Sequence, residues 1–183
     1  MRNITLAETE SVAVVTLPAA PSRLAEVLPT EGPVHASMEK TSDEMARIAR
    51  SAVSSITIMS PFVNRDGAEF AMRTFDESPA PQKTLITRLS GKTGRAVRPL
   101  VAEMQRRGIR VLDYFIRAGD GYETFHAKIV IADGDLAYIG SANMTLYDRH
   151  SMELGIIVKG KPARAVSALV RSVERVSVPV SAT

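Results

Sequence analysis

The chain has 183 residues, 45% of them hydrophobic, which suits one compact domain with a sizeable core rather than two full domains. A net charge of +3 admits a polyanionic partner without requiring one, and zero cysteines exclude disulfides, thiol nucleophiles and any cysteine-ligated zinc or iron–sulfur site. No apolar run approaches the roughly 20 residues that cross a bilayer, and acids interrupt the opening "MRNITLAETESVAVVTLPAA" where a signal peptide would carry its apolar core; the expectation is a soluble, cytoplasmic protein with no membrane partner.

Residues 1–36 mix β-branched residues with Pro18, Pro21, Pro29 and Pro33, which predicts an extended, peripheral arm with one short strand near Val12 to Leu17. The folded domain is expected over 37–183. From Thr41, "TSDEMARIARSAV" opens with a capping-box pattern, Thr41 to Glu44, and places Met45, Ile48, Ala49 and Ala52 on one helical face. "SITIMSPFV" alternates into a strand that Pro61 ends, "DGAEFAMRTFDE" predicts a second helix, and "KTLITRL" a second strand.

"GRAVRPLVAEMQRRG" supplies Val97, Leu100, Val101 and Met104 at helical spacing, with Gly108 placed as the stop before the strand "IRVLDYF". Two further strands, "HAKIVIAD" and "LAYIG", meet at Asp133-Gly134-Asp135, a hairpin signature. "MELGIIVKG" predicts another strand and "PARAVSALVRSVERV" a final helix. The sum is an α/β domain, a mixed sheet with helices packed on it, without internal repeats.

The stretch that carries chemistry is His126-x-Lys128, then Asp133, then Gly140-Ser141-x-Asn143, with Glu153 following. In a strand, residues i and i+2 share a face, so His126 and Lys128 stand side by side while Ala127 points away. Two potentially cationic groups so placed call for an anion between them, and a phosphate would serve. Gly140 lets a backbone approach a ligand closely, and Ser141 and Asn143 can donate hydrogen bonds. Taken singly these residues have ordinary roles, a hairpin turn at Asp133 or a solvated edge lysine at Lys128; it is their joint spacing that singles them out.

The pattern H-x-K-x4-D-x6-G-S-x-N followed by a Glu resembles the HKD motif of the phospholipase D superfamily, over about Thr41 to Val176. The resemblance implies a phospholipase D-like mixed sheet with helices on both faces, one HKD half per chain, and phosphodiester cleavage through a covalent phosphohistidine, with no cofactor and no metal. His126 would be the nucleophile. Lys128 and Asn143 would hold the non-bridging oxygens with help from Ser141, and Glu153 would bond the far nitrogen of a catalytic imidazole. Asp133 belongs to the catalytic motif, yet its place in the turn fits a pin better than a participant.

The scheme needs two histidines at one phosphorus. His35 and His150 lack a lysine two residues on, so the resemblance implies a homodimer with the active site on its two-fold axis. Arg88, at the end of "KTLIT", is the candidate to touch substrate. Lys92, Arg95, Arg98, Arg106, Arg107 and Arg110 form either a phosphate-contacting groove or a solvated helix face. With aromatics at 5% and no Trp, no base-stacking platform is advertised. The leading expectation is a nuclease acting on DNA or RNA. The alternatives are a lipid phosphodiesterase or phosphatidyl transferase, and a non-catalytic module that clamps nucleic acid for partner proteins of a bacterial defence or restriction complex.

Overall fold

A computed structural model describes residues 11–17, 21–27, 39–144 and 151–182. In chain order the elements are β1 (Ser11–Thr16), α1 (Arg23–Val27), β2 (Glu39–Lys40), α2 (Thr41–Ser51), β3 (Ser55–Met59), α3 (Arg65–Asp76) and β4 (Gln82–Thr87). They continue with α4 (Gly91–Val97), a 3-10 turn (Arg98–Leu100), α5 (Val101–Arg106), β5 (Ile109–Asp113), β6 (Ile116–Ala118) and β7 (Gly121–Glu123). The last are β8 (Lys128–Ala132), β9 (Leu136–Gly140), β10 (Glu153–Lys159), α6 (Lys161–Val176) and β11 (Val178–Pro179).

Nine strands form one mixed sheet in the order β11-β5-β4-β3-β8-β9-β10-β1-β2. Strands β3, β4 and β5 are parallel because a helix follows each of the first two and returns the chain, while β8, β9 and β10 run as an antiparallel meander. The central strands read as near-continuous apolar runs because both faces are covered. On one face α2, α3 and α5 bring Met45, Ile48, Ala68, Phe75 and Met104 against Ile56, Ile58, Leu85 and Val130. On the other, Ala163, Val170 and Val173 of α6 cover Ile86, Leu112 and Ile131. Among the described residues no helix is long and apolar enough to cross a membrane.

Three local expectations are revised. Residues 11–16 are not peripheral: β1 pairs with β10 along its whole length, and Val14 is fully buried. Its partner lies at the far end of the sequence, so no local pattern announces the pairing. The capping box does not form, because Thr41 is already the first helical residue, its hydroxyl is buried without a partner among the described residues, and Glu44 bonds Arg47 instead. The single helix expected around Val97 to Met104 is broken in two, since Pro99 has no N–H to continue the ladder and tightens the chain into the 3-10 turn.

The turn between β8 and β9 sets the sheet's register. Asp133 and Gly134 hold φ of 51° and 72°, the left-handed geometry that suits a tight hairpin. The Asp133 carboxylate then reaches the α2–β3 loop, accepting from the amides of Val53 (2.9 Å), Ser54 (2.7 Å) and Ser55 (2.9 Å) and from the Ser54 hydroxyl (2.7 Å). Burial works against the charged form, but these donors outweigh it and hold the carboxyl down to about 2. Because the folded state depresses this pKa, the stabilisation is present above about pH 4 and is lost as pH falls toward 2. Asp133→Ala is expected to lower unfolding stability in urea by about 1–2 kcal/mol at pH 7, allowing for solvent screening of a partly exposed carboxylate, with the gap to wild type closing near pH 2.

Candidate active site

One end of the sheet gathers the residues of interest. The β8–β9 register sets Lys128, the first residue of β8, opposite Gly140, the last of β9, and Gly140 in turn opposite Gly155, two residues past Glu153 on β10. His126 precedes β8, where its ring is exposed, and Lys128 follows it into the fold with only 5% of its surface exposed. The ammonium Nζ lies 3.0 Å from Nδ1 of the imidazole. An ammonium can only donate, so Nδ1 accepts and the ring's own proton sits on Nε2. In this arrangement neither nitrogen offers a free lone pair.

Lys128 makes no ion pair among the described residues. Burial lowers its pKa, and Glu153 opposes that from beyond ion-pairing distance. The Glu153 carboxylate is engaged elsewhere: the Ser141 hydroxyl donates to Oε2, and Ser141 Oγ accepts from the Leu154 amide at 3.1 Å. Within the single chain Glu153 makes no bond to the His126 imidazole among the described residues. Lys128 occupies Nδ1, and Ser141, facing Glu153 across β9 and β10, satisfies the carboxylate.

Asn143 is presented by a segment docked on α3. The Met144 amide donates to Ser60 Oγ (3.1 Å), the Met144 carbonyl accepts from the Asn64 amide (3.2 Å), and Asn64 caps α3 by accepting from Gly67 N at 2.7 Å. Gly67 packs so closely on the Met144 carbonyl that any side chain there would push the segment away. Asn143 is thus held in place, yet its buried Oδ1 has no partner among the described residues.

Two members of the expected site have other work. The close approach foreseen at Gly140 is made by Tyr138, whose ring is fully buried across Gly140 and Gly155; a Cβ on either glycine would enter that ring. Gly140 is therefore needed by the phenol of the chain's own tyrosine. Burial pushes Tyr138 up to about 12, and its oxygen accepts weakly from the Ala142 amide at 3.4 Å. Asp133 lies seven residues along the strand from His126, roughly 23 Å at the usual rise, and belongs to the fold rather than the site.

Arg88 does reach the site end. Its guanidinium lies 4.6 Å from the centre of the Phe62 ring and 5.9 Å from that of Phe115, and Phe62 meets the His126 ring edge-on at 5.7 Å. The Arg88 Nε is buried without a partner among the described residues. Of the basic residues expected around that helix, Arg107 bonds Asp76 and Glu103, and Arg110, which lies on β5, bonds Glu174, so these two are neutralised within the fold. His35 and His150 lie outside the described residues. Sequence reasoning missed Phe62, Phe115 and Tyr122. The signal was present in "DYFIRAGDGYETFH", where aromatics flank a Gly-Asp-Gly turn immediately before His126. Among the described residues no three His, Asp or Glu side chains converge as a metal-binding group would.

With this geometry in view, one comparison with known proteins gives a family and another a fold. The family model described as "Cardiolipin synthase, PLD-like domain" matches residues 45–176, well over half of the chain, so the protein belongs to the phospholipase D-like family. Its fold is similar to that of Nuc from Salmonella typhimurium, a phospholipase D family member, with a TM-score of 0.62 at 16% identity, covering 94% of this chain and 99% of that one. NucT from Helicobacter pylori gives 0.62 at 15% identity over 93% and 100% of the two chains. Phosphatidylserine synthase from Haemophilus influenzae Rd KW20 gives 0.59 at 11% identity, covering 94% of this chain and 40% of that larger one. A search of curated proteins by sequence finds no match. The expected fold class, a mixed sheet with helices on both faces, is the one observed.

Gly140→Ala is expected to destabilise the fold by about 1–3 kcal/mol in urea unfolding, since the new methyl must displace the Tyr138 ring. Adding Tyr138→Leu is expected to cost less than the sum of the two single changes, the sign that they share one contact.

Proposed function

We propose that the protein is a phosphodiesterase acting on nucleic acid through a covalent phosphohistidine at His126, in a site completed by a second copy of the chain. The observation that carries the reading is Lys128: a lysine only 5% exposed, without a carboxylate partner among the described residues, against an exposed imidazole. A buried ammonium without an ion pair is costly to keep, and an anion bound beside it would relieve that cost. The buried Arg88 Nε, unpartnered among the described residues, supports an anion at the same end of the sheet.

An arriving phosphate diester offers Lys128 charge-assisted acceptors that compete well with a neutral imidazole nitrogen. Once the ammonium turns to the phosphate, the His126 ring is released and can pass its proton through solvent to take the tautomer that leaves Nε2 free. Nε2 then attacks phosphorus, the P–O bond to the leaving group breaks, and His126 of the second copy delivers the proton that oxygen needs. Water attacks the phosphohistidine in the second half, giving its proton back to the second histidine and restoring the first. Lys128 and the Asn143 amide would meet the charge that builds on the non-bridging oxygens. Glu153, bonded to Ser141 in the single chain, would steady a second-copy imidazole.

Nucleic acid is favoured over lipid by the net charge of +3 and by Arg88 at the site rather than an apolar groove. A lipid phosphodiester is the second reading. It draws on Met152 and Leu154 (each 51% exposed) and Ile156 (40% exposed), an apolar stripe beside Glu153 that could meet acyl chains. The clamp reading differs from both in lacking turnover.

Wild type is expected to nick plasmid and cut oligonucleotides in excess EDTA, with His126→Ala retaining binding but losing at least about a thousandfold in rate. Binding without cutting by the wild type would leave the clamp; cleavage of phosphatidyl vesicles with nucleic acid untouched would favour lipid. Because burial lowers the Lys128 pKa, the alkaline fall in kcat/KM is expected earlier than for an ordinary lysine, and Lys128→Arg, though slower, is expected to lack that limb. Sedimentation is expected to show a dimer at micromolar concentration.

A further inference from the structure

Five side chains from three separate segments form a continuous ladder that ends on His126. Tyr122, 62% exposed on β7, stacks on Phe115 with ring centres 4.3 Å apart and planes 14° from parallel. Phe115 faces the Arg88 guanidinium at 5.9 Å, Arg88 lies over Phe62 at 4.6 Å, and Phe62 meets the His126 ring at 5.7 Å. The outer half is carried by the β6–β7 hairpin, a two-stranded unit outside the main sheet that runs into His126 within three residues of Glu123. In its register Arg117 sits opposite Tyr122, adding a cation beside the exposed ring.

A ring left exposed on an aromatic partner is a surface that a further flat group can extend, and a guanidinium between two rings offers both a stacking plane and donors for a phosphate. The one guanidinium in the ladder, Arg88, lies between the Phe62 and Phe115 rings, so a phosphate donor is set among stacking faces. Bases inside a duplex already have both faces stacked and cannot join such a ladder; unpaired bases can. The hairpin is poorly suited to entering a membrane instead, since its tip is Gly119-Asp120-Gly121, with a carboxylate and no aliphatic anchor at the leading end. Of the acids nearby, Glu123 points to the other side of the hairpin, where the Tyr114 hydroxyl donates to it, and the Asp113 carboxylate accepts from the Leu89 amide.

We propose that the Tyr122–Phe115–Arg88–Phe62 ladder is a binding track for unpaired nucleobases that leads a single strand to His126. This rests on the reading of the site as a nucleic-acid phosphodiesterase and specifies its substrate as single-stranded or locally unpaired. Tyr122 is the entry position, where a base stacks first. Arg88 holds the phosphate that precedes the scissile one.

The test compares wild type, Tyr122→Ala and Tyr122→Phe on a single-stranded oligonucleotide, on the same oligonucleotide with abasic sites flanking the cut, and on its duplex. Tyr122→Ala is expected to raise KM for the normal single strand about tenfold, with Tyr122→Phe near wild type. On the abasic strand the wild type is expected to lose about the same factor and Tyr122→Ala nothing more, and the duplex is expected to be the poorest substrate. Equal KM for wild type and Tyr122→Ala, or a tenfold loss that persists on abasic DNA, overturns the track. If no strand is cut, the same comparison is made by fluorescence anisotropy: ladder-dependent binding then upholds the track while the catalytic reading fails, and no base-dependent binding overturns it. Loss of binding to phosphatidylglycerol vesicles in Tyr122→Ala, with DNA binding unchanged, would assign the hairpin to a membrane surface and overturn the track as well.

Discussion

The structure depends on a lysine that is buried with no ion-pair partner among the described residues. Lys128 opens β8, the strand between β3 and β9 at the middle of the nine-stranded sheet, so its stem cannot leave without unpicking the register around it. The hydrogen-bond partner its ammonium does have is Nδ1 of His126, a neutral ring nitrogen. A fold ordinarily removes such a group or pairs it, because desolvating a lone cation is among the more destabilising things a core can do. Keeping it gives a standing attraction for an anion at one defined place, and a phosphodiester is the anion that the proposed chemistry brings there.

The surrounding architecture serves to keep that place fixed. Asp133, at the far end of β8, ties the hairpin to the α2–β3 loop and so sets where the strand begins as well as where it ends. Tyr138, wedged over Gly140 and Gly155, locks β9 to β10 and thereby places Ser141 against Glu153. Gly67 and Asn64 at the start of α3 hold Met144, which positions Asn143. These residues stand away from the imidazole. Each acts by fixing a strand end or a loop to within a hydrogen bond's tolerance, the scale on which phosphoryl transfer is sensitive.

Much of this is legible in the amino-acid sequence. The i, i+2 spacing of His126 and Lys128, the Asp133-Gly134 turn and the apolar periodicities of α2, α3 and α6 are local signals, and local signals survive translation into a fold. What stays hidden depends on contacts between distant segments. Asp133 bonds residues 53–55, about 80 positions away in sequence, so its reach beyond the hairpin leaves no trace in its neighbours. The β1–β10 pairing and the Tyr138 wedge are hidden for the same reason. The aromatic ladder is the sharpest case: four Tyr and five Phe in 183 residues look too few for a stacking surface until Phe62, Phe115 and Tyr122 arrive at one place. Composition counts residues, whereas a surface is built by where they converge. The expectation at Thr41 fails for a different reason, since a helix that begins one residue early leaves the cap inside its first turn.

The most direct measurement of the central claim is the affinity for inorganic phosphate at constant ionic strength, by calorimetry on the wild type and on Lys128→Met, which keeps the buried stem and removes the charge. Saturable phosphate binding by the wild type is expected, weakening at least about tenfold in the variant, with the folded state of both confirmed by thermal unfolding. Equal affinity in the two proteins, or no saturable binding by the wild type, would contradict the claim.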